Sequence, residues 1–184
     1  TLFLVDKDTP GLSIQREPKF THTYVFGHPE FRFDGVEVGA DRVLVGIGQG
    51  LELTKDWFVE ARLQIAANCI GAATRAFEIA SDWANRRVAF GKPIRHHQAV
   101  DFMLADMAVE IMATKSLVYR VAWSIDKGAD RKQVHAHASV VKLQASEMAG
   151  RVTDKAVQIL GGRGYMRENP VERLNRDVRV DRIW

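Results

Sequence analysis

Three long stretches of helical hydrophobic period, separated by two short corners, decide most of what this 184-residue chain can fold into. The first runs from about residue 51 to 86, close to 54 Å if unbroken at about 1.5 Å per residue. Its middle, AANCIGAA, is dense in small side chains that let a neighbouring helix approach closely. The second, about 96 to 127, sets Val100, Met103, Leu104, Met107, Ile111, Val118 and Ile125 on one face, and Gly128 supplies a stop. The third, about 131 to 160, places Val134, Ala138, Val141, Ala145, Met148, Val152, Ala156 and Ile159 at alternating steps of three and four. That is the seam of a bundle. Pro170 opens a short fourth helix near 170 to 178, at the position where its missing N–H costs nothing. The pattern predicts a mainly α fold, an up-and-down four-helix bundle, with a short β segment before it.

That β segment is residues 1 to about 46. DTPG at 8 to 11 is a turn, and in EFRFDGVEV the apolar residues Phe31, Phe33, Val36 and Val38 alternate with polar ones. So few strand residues cannot close a sheet alone, so 1–46 is expected to be the tail of a β domain and 47–184 the helical domain. The opening TLFLV carries no initiator Met, and the chain is expected to be a piece of something longer. A hydrophobic fraction of 46% and a charged fraction of 27% suit a chain that buries a real core. The net charge of +3 comes without a dense Lys/Arg run, which argues against a nucleic-acid or membrane-surface partner and is compatible with a phosphate-bearing small molecule. Cys69 is the only cysteine, so neither an intrachain disulfide nor a cysteine metal cluster can form. No apolar run approaches the ~20 residues of a membrane span.

Several motifs invite chemistry and decline it. GIGQG, 46 to 50, lacks the third glycine of a dinucleotide loop and has no βαβ unit around it. The pairs His96/His97 and His135/His137 are not spaced to aim two imidazoles at one ion, so no metal is expected. Cys69 lies in a small-residue helical stretch, where a buried thiol is inert packing. Two corners remain. RVAFGKPIRHHQAV, 87 to 100, combines a planar cation (Arg87), a ring (Phe90), a glycine that admits close backbone approach (Gly91), a stiffening Pro93 and an amide at the next helix start (Gln98). VQILGGRGYMRENPVERLNRD, 157 to 177, adds Gln158, Gly161 and Gly162 before the charged short helix. Each alone is also an ordinary helix terminus.

Together, on consecutive helices, they resemble the C-terminal region of the acyl-CoA dehydrogenase family. The matching residues are Arg87, Phe90-Gly91-Lys92 and Gln98, then Gln158-Ile159-Leu160-Gly161-Gly162-Arg163-Gly164-Tyr165, Glu168, Pro170, Glu172-Arg173 and Arg176-Asp177. LADMAVEI (104 to 111) and the stretch from Lys142 to Glu147 match as well, and DTPGL, FDGVEV and GQG resemble the end of that family's middle β domain. The resemblance covers essentially the whole chain.

It implies a flavoprotein fragment: FAD as cofactor, α,β-desaturation of an acyl-CoA thioester, an electron-transfer flavoprotein as electron acceptor, and a homo-oligomer, dimer or tetramer. Arg87, Phe90 and Gln98 are expected near the pyrophosphate and adenosine of a neighbouring subunit's FAD, with Gln158, Gly161 and Gly162 along its adenosine end. Arg62 occupies the place of a family arginine near the active site, with a supporting catalytic and substrate-binding role, and Trp184 is expected at the substrate. The family's usual base, a Glu in an E-G-T run, belongs directly after Trp184. The alternative base position, before Arg62, holds Ala61, and the adjacent Glu60 is turned about 100° away on a helix. The base is therefore expected outside this sequence and the fragment alone inactive. Two other readings stand beside this one: a non-catalytic helical assembly module, and an acyl-CoA oxidase that returns electrons to oxygen. The resemblance fits the cytoplasm or the mitochondrial matrix, and nothing in the chain chooses between them.

Overall fold

The computed structural model describes residues 1–184, which divide into two compact units, 1–58 and 59–184. The first unit holds two antiparallel ribbons. β1 (Leu2–Phe3) pairs with β4 (Val43–Leu44), and β2 (Leu12–Arg16) pairs with β3 (Glu30–Phe33) in the register Leu12 to Phe33 and Ile14 to Phe31. Gly11, at φ +88°, makes the turn into β2, and a Cβ there would lie 2.2 Å from the Asp34 carbonyl oxygen. The alternation in EFRFDGVEV predicts one half-buried strand with a bend, or a hairpin; only Glu30–Phe33 is strand, it pairs with β2, and Phe31 and Phe33 are both exposed, because each ribbon has only two strands and no second layer.

The second unit is the bundle. α1 (Gly50–Arg86) enters it from Val59 onward, followed by α2 (Gln98–Asp126), α3 (Arg131–Leu160) and the short α4 (Pro170–Asp177). These bounds lie within two residues of those read from periodicity. The difference at α2 has a local cause: Ile94–His96 form a 3₁₀ turn and His97 is extended, so both histidines precede the helix. Gly128, at φ +73°, closes α2, and Asp130 caps α3 by accepting from the backbone N–H groups of Lys132 and Gln133.

Packing follows the small residues of α1. Ala66, Cys69, Ala73, Ala76, Ala80 and Ala84 are completely buried along one stripe, with no side chain large enough to hold α2 or α3 away. Met107 and Ile111 of α2 and Val141, Met148 and Val152 of α3 fill the space so created. All eight predicted seam residues of α3 are buried. α2 and α3 run antiparallel, tied at their margins by Arg151 to Glu110 (2.7 Å), Lys155 to Asp106 (3.0 Å) and Gln144 to Thr114 (3.3 Å). Thr153 donates to Ala149 O and reaches Asn175 Oδ1 at 3.1 Å, joining α4 to α3. Met148→Ala would leave a methionine-sized void in this core; about 2–5 kcal/mol of destabilisation is expected from denaturant titration.

One polar group is buried at the end of the chain. Asp181 accepts from the Cys69 thiol (3.4 Å) and from Trp184 Nε1 (3.3 Å). Burial raises the Asp181 carboxyl above the ordinary aspartate range, against the lowering effect of these two hydrogen bonds and of Lys142. The same burial, with the neighbouring carboxylate, pushes the Cys69 thiol far up and keeps it protonated. A raised carboxyl holds its proton more tightly folded than unfolded, so its stabilising share is complete below the unfolded pKa and disappears as pH rises through the folded one. Asp181→Asn removes that dependence: the variant's urea midpoint should gain on the parent's as pH is raised from about 3.9, the unfolded aspartate value, towards neutrality. A constant difference between the two proteins would contradict this.

Candidate functional site

At one end of the bundle the chain turns through a hairpin too short to be seen as strand in the sequence. Val88–Ala89 (β5) and Lys92–Pro93 (β6) pair as Val88 to Pro93 and Ala89 to Lys92, leaving Phe90 and Gly91 as a two-residue turn. Both have positive φ, +54° and +80°. This is the backbone of a type I′ turn, a setting for Asn-Gly in which a phenylalanine is strained. Arg87 anchors the hairpin by its backbone, its N–H bonding Trp83 O and its carbonyl accepting from Ile94 N–H, each at 2.8 Å. His97 Nε2 lies 3.1 Å from Ala89 O, and its ring meets Phe90 edge-on at 6.1 Å. The Phe90 ring is nevertheless 96% exposed. The exposed ring therefore brings little burial to offset the strained backbone beneath it.

The second corner ends α3. Gly161 takes φ +61° and donates its N–H to the carbonyls of Gln158 and Val157, so the helix terminates in a conformation other residues rarely adopt. Gly164 is required by space, since a Cβ would sit 2.5 Å from Val157 O. At Gly162 nothing lies within 4 Å of a built Cβ, and the bare backbone faces open space.

The two corners meet. An open cavity of about 430 Å³ is lined by Trp83, Arg87 and Ile94 from the first corner and by Ile159, Leu160, Gly161, Gly162 and Arg163 from the second. The lining combines the apolar Trp83, Ile94, Ile159 and Leu160 with two glycines and two arginines. Volumes of roughly 300–1,000 Å³ are those of small-molecule sites, so this one admits part of a large ligand. An anion with a flat or apolar neighbour is the chemistry such a lining receives.

Of the residues singled out in the sequence, Arg87, Gly161 and Gly162 line this cavity. Phe90, Gln98 and Gln158 are exposed and stand outside its lining; Gln98 is the first residue of α2. Arg62 is half-buried in α1 and Glu60 is exposed. Trp184 is exposed, its indole N–H held by Asp181 and its main-chain oxygen accepting from Lys142. Trp83, Ile94 and Arg163 were not singled out as site residues. Arg163 stood in plain view within GGRG, and its signal was that a second cation sits beside backbone already freed by glycine. Phe90→Asn gives the turn the residue its backbone prefers; a gain of about 0.5–1 kcal/mol is expected, read as a higher urea midpoint with unchanged slope.

The chain is similar to known proteins over nearly its whole length. The family model described as "Acyl-CoA dehydrogenase, C-terminal domain" matches residues 48–184. Cyclohex-1-ene-1-carbonyl-CoA dehydrogenase of Geobacter metallireducens is 39% identical over 182 residues, covering 99% of this chain and 47% of the relative. The structure of butyryl-CoA dehydrogenase from Megasphaera elsdenii superposes with a TM-score of 0.91 at 34% identity, over 99% of this chain and 47% of that one. The structure "PigA with FAD and proline" superposes with a TM-score of 0.94 at 26% identity, again over 99% and 47%. The chain thus spans about half the length of the proteins it matches.

Proposed function

The chain belongs to the acyl-CoA dehydrogenase family, and on that premise we propose that it is the C-terminal part of an FAD-dependent enzyme that desaturates an acyl-CoA thioester between Cα and Cβ. The observation that carries this reading is the shared cavity: Arg87 and the Gly161–Gly162 backbone, from corners far apart in sequence, line one recess together with Arg163. The donor set fits the diphosphate and adenosine portion of a dinucleotide. Two permanent cations match phosphate charge, and bare glycine peptide lets a ligand come close. When bound, the flavin supplies the hydride acceptor for the desaturation.

The chain's own residues bind and orient. Arg87 and Arg163 hold negative charge at the cavity mouth. The exposed Phe90 ring, Gln98 and Gln158 offer a flat face and two amides to the rest of the cofactor, on the side presented to a neighbouring subunit of a homo-oligomer. Arg62 orders the substrate end, Trp184 lies beside the acyl-CoA, and the catalytic base is supplied from outside these residues. An electron-transfer flavoprotein is the proposed acceptor, and the isolated chain is not expected to turn over.

Arg87→Ala in the full-length protein tests this directly. The hairpin is held by the backbone of residue 87, so the fold should persist while a charge-assisted contact worth about 1.5–3 kcal/mol is lost. Flavin retention, measured by absorbance after dialysis, should weaken roughly tenfold to a hundredfold. Unchanged flavin content would overturn the assignment of this cavity.

A further inference from the structure

Near the end of the chain a buried carboxylate is spent on a residue that is not buried. Asp181, in the 3₁₀ turn Val180–Arg182, is 5% exposed, whereas Trp184, which it bonds, is 62% exposed. A carboxylate so placed is costly unless its oxygens are engaged. Here two different elements engage them. Oδ2 accepts from the Cys69 thiol at 3.4 Å, and Oδ1 accepts from Trp184 Nε1 at 3.3 Å. Cys69 is completely buried within α1, 112 residues away in sequence, so the carboxylate is tied to the core on one side and to the indole on the other.

The turn itself needs none of this. A side chain that stabilises a turn takes main-chain N–H groups. Those of Ile183 and Trp184 already bond the Val180 carbonyl, at 2.9 and 3.3 Å. The main-chain oxygen of Trp184 is held separately, by the Lys142 ammonium from α3. The main chain of Trp184 is thus held on both sides without Asp181. What Asp181 adds is a restraint on the N–H edge of the indole, and it leaves most of the residue's surface open. We propose that Asp181 is a positioning residue for the acyl-CoA: through Nε1 it fixes the orientation in which the Trp184 ring meets the ligand. The inference rests on the reading of Trp184 as a neighbour of the acyl-CoA. An indole turns about two side-chain torsions, and tying Nε1 to a point in the core removes that freedom before the ligand arrives. A ring left free would have to be ordered at each binding event, and that cost would appear in KM.

The test uses the full-length flavoprotein and the fastest of three probes, butyryl-, octanoyl- and palmitoyl-CoA. Asp181→Leu fills the space without an acceptor, and Trp184→Phe keeps a ring without the N–H. Each should raise KM about threefold to tenfold, the equivalent of one hydrogen bond, with kcat changed less. Both remove the same bond, so the double variant should be no worse than either single one. A fluorinated tryptophan at 184 should give one sharp fluorine resonance in the parent and in Asp181→Asn, whose amide oxygen still accepts. In Asp181→Leu that resonance should shift or broaden. Additive losses, or a resonance indifferent to Asp181→Leu, overturn the proposal. Trp184→Phe changes only an exposed ring, so it decides alone where Asp181→Leu does not fold: an unmoved KM overturns the proposal. If Trp184→Ala leaves KM and kcat unchanged while the resonance still follows Asp181, the ring is held but away from the ligand. The proposal then falls through its premise, with the tether intact. Turnover of none of the three probes overturns the acyl-CoA reading and this inference together.

Discussion

The alanine face of α1, buried with the methionines of α2 and α3 in one core, is the constraint on which the rest of the helical unit depends. Ala66, Ala73, Ala76, Ala80 and Ala84 put almost no side chain between the α1 backbone and its neighbours, so Met107 and Met148 can fill the centre. In an up-and-down bundle the first and third helices run the same way and end together. Their two C-terminal corners, at Arg87 and Gly161, are therefore brought to one cavity by the packing of side chains that never touch it. Enlarging any alanine of that stripe would displace the corners as well as strain the core.

The first corner shows stability given up locally. A two-residue hairpin needs two left-handed residues, and sequence can satisfy that cheaply with Asn-Gly. Here Gly91 is suitable and Phe90 is not. Its ring gains only the edge contact with His97 and is otherwise in solvent. Strain of this kind persists where surrounding structure enforces it, and Arg87, Ile94 and His97 supply that enforcement through bonds to and from the hairpin backbone.

How much of this was legible depended on how many residues carried each signal. The helices were, because some thirty residues of consistent period outweigh any single exception; the α3 seam from Val134 to Ile159 is buried at every predicted position. The β5–β6 hairpin was not, because two residues per strand give no period and Phe at a left-handed position hides the turn. The short β segment was readable as alternation, but burial was not: whether Phe31 and Phe33 are covered depends on a layer that β2 and β3 do not themselves provide. Arg87, Gly161 and Gly162 stood out in the sequence as a cation and paired glycines at helix ends, and the fold brings them to one cavity. Arg163 was overlooked among the glycines.

The polarity of the helix ends sharpens what the cavity can do. α1 and α3 both present C-terminal ends there, where unsatisfied carbonyls leave partial negative charge and disfavour an anion. A phosphate site of the common kind uses a helix N-terminus instead. α2 begins nearby at Gln98 without a side-chain cap, which offsets the two C-termini only in part. The Gly161 N–H is already spent on closing α3. What attraction the recess has for negative charge must then come from the side chains of Arg87 and Arg163. The recess is thus not a generic anion trap to which an arginine was added. On the cofactor reading proposed above, Arg87 and Arg163 are what offsets that field for an anionic ligand.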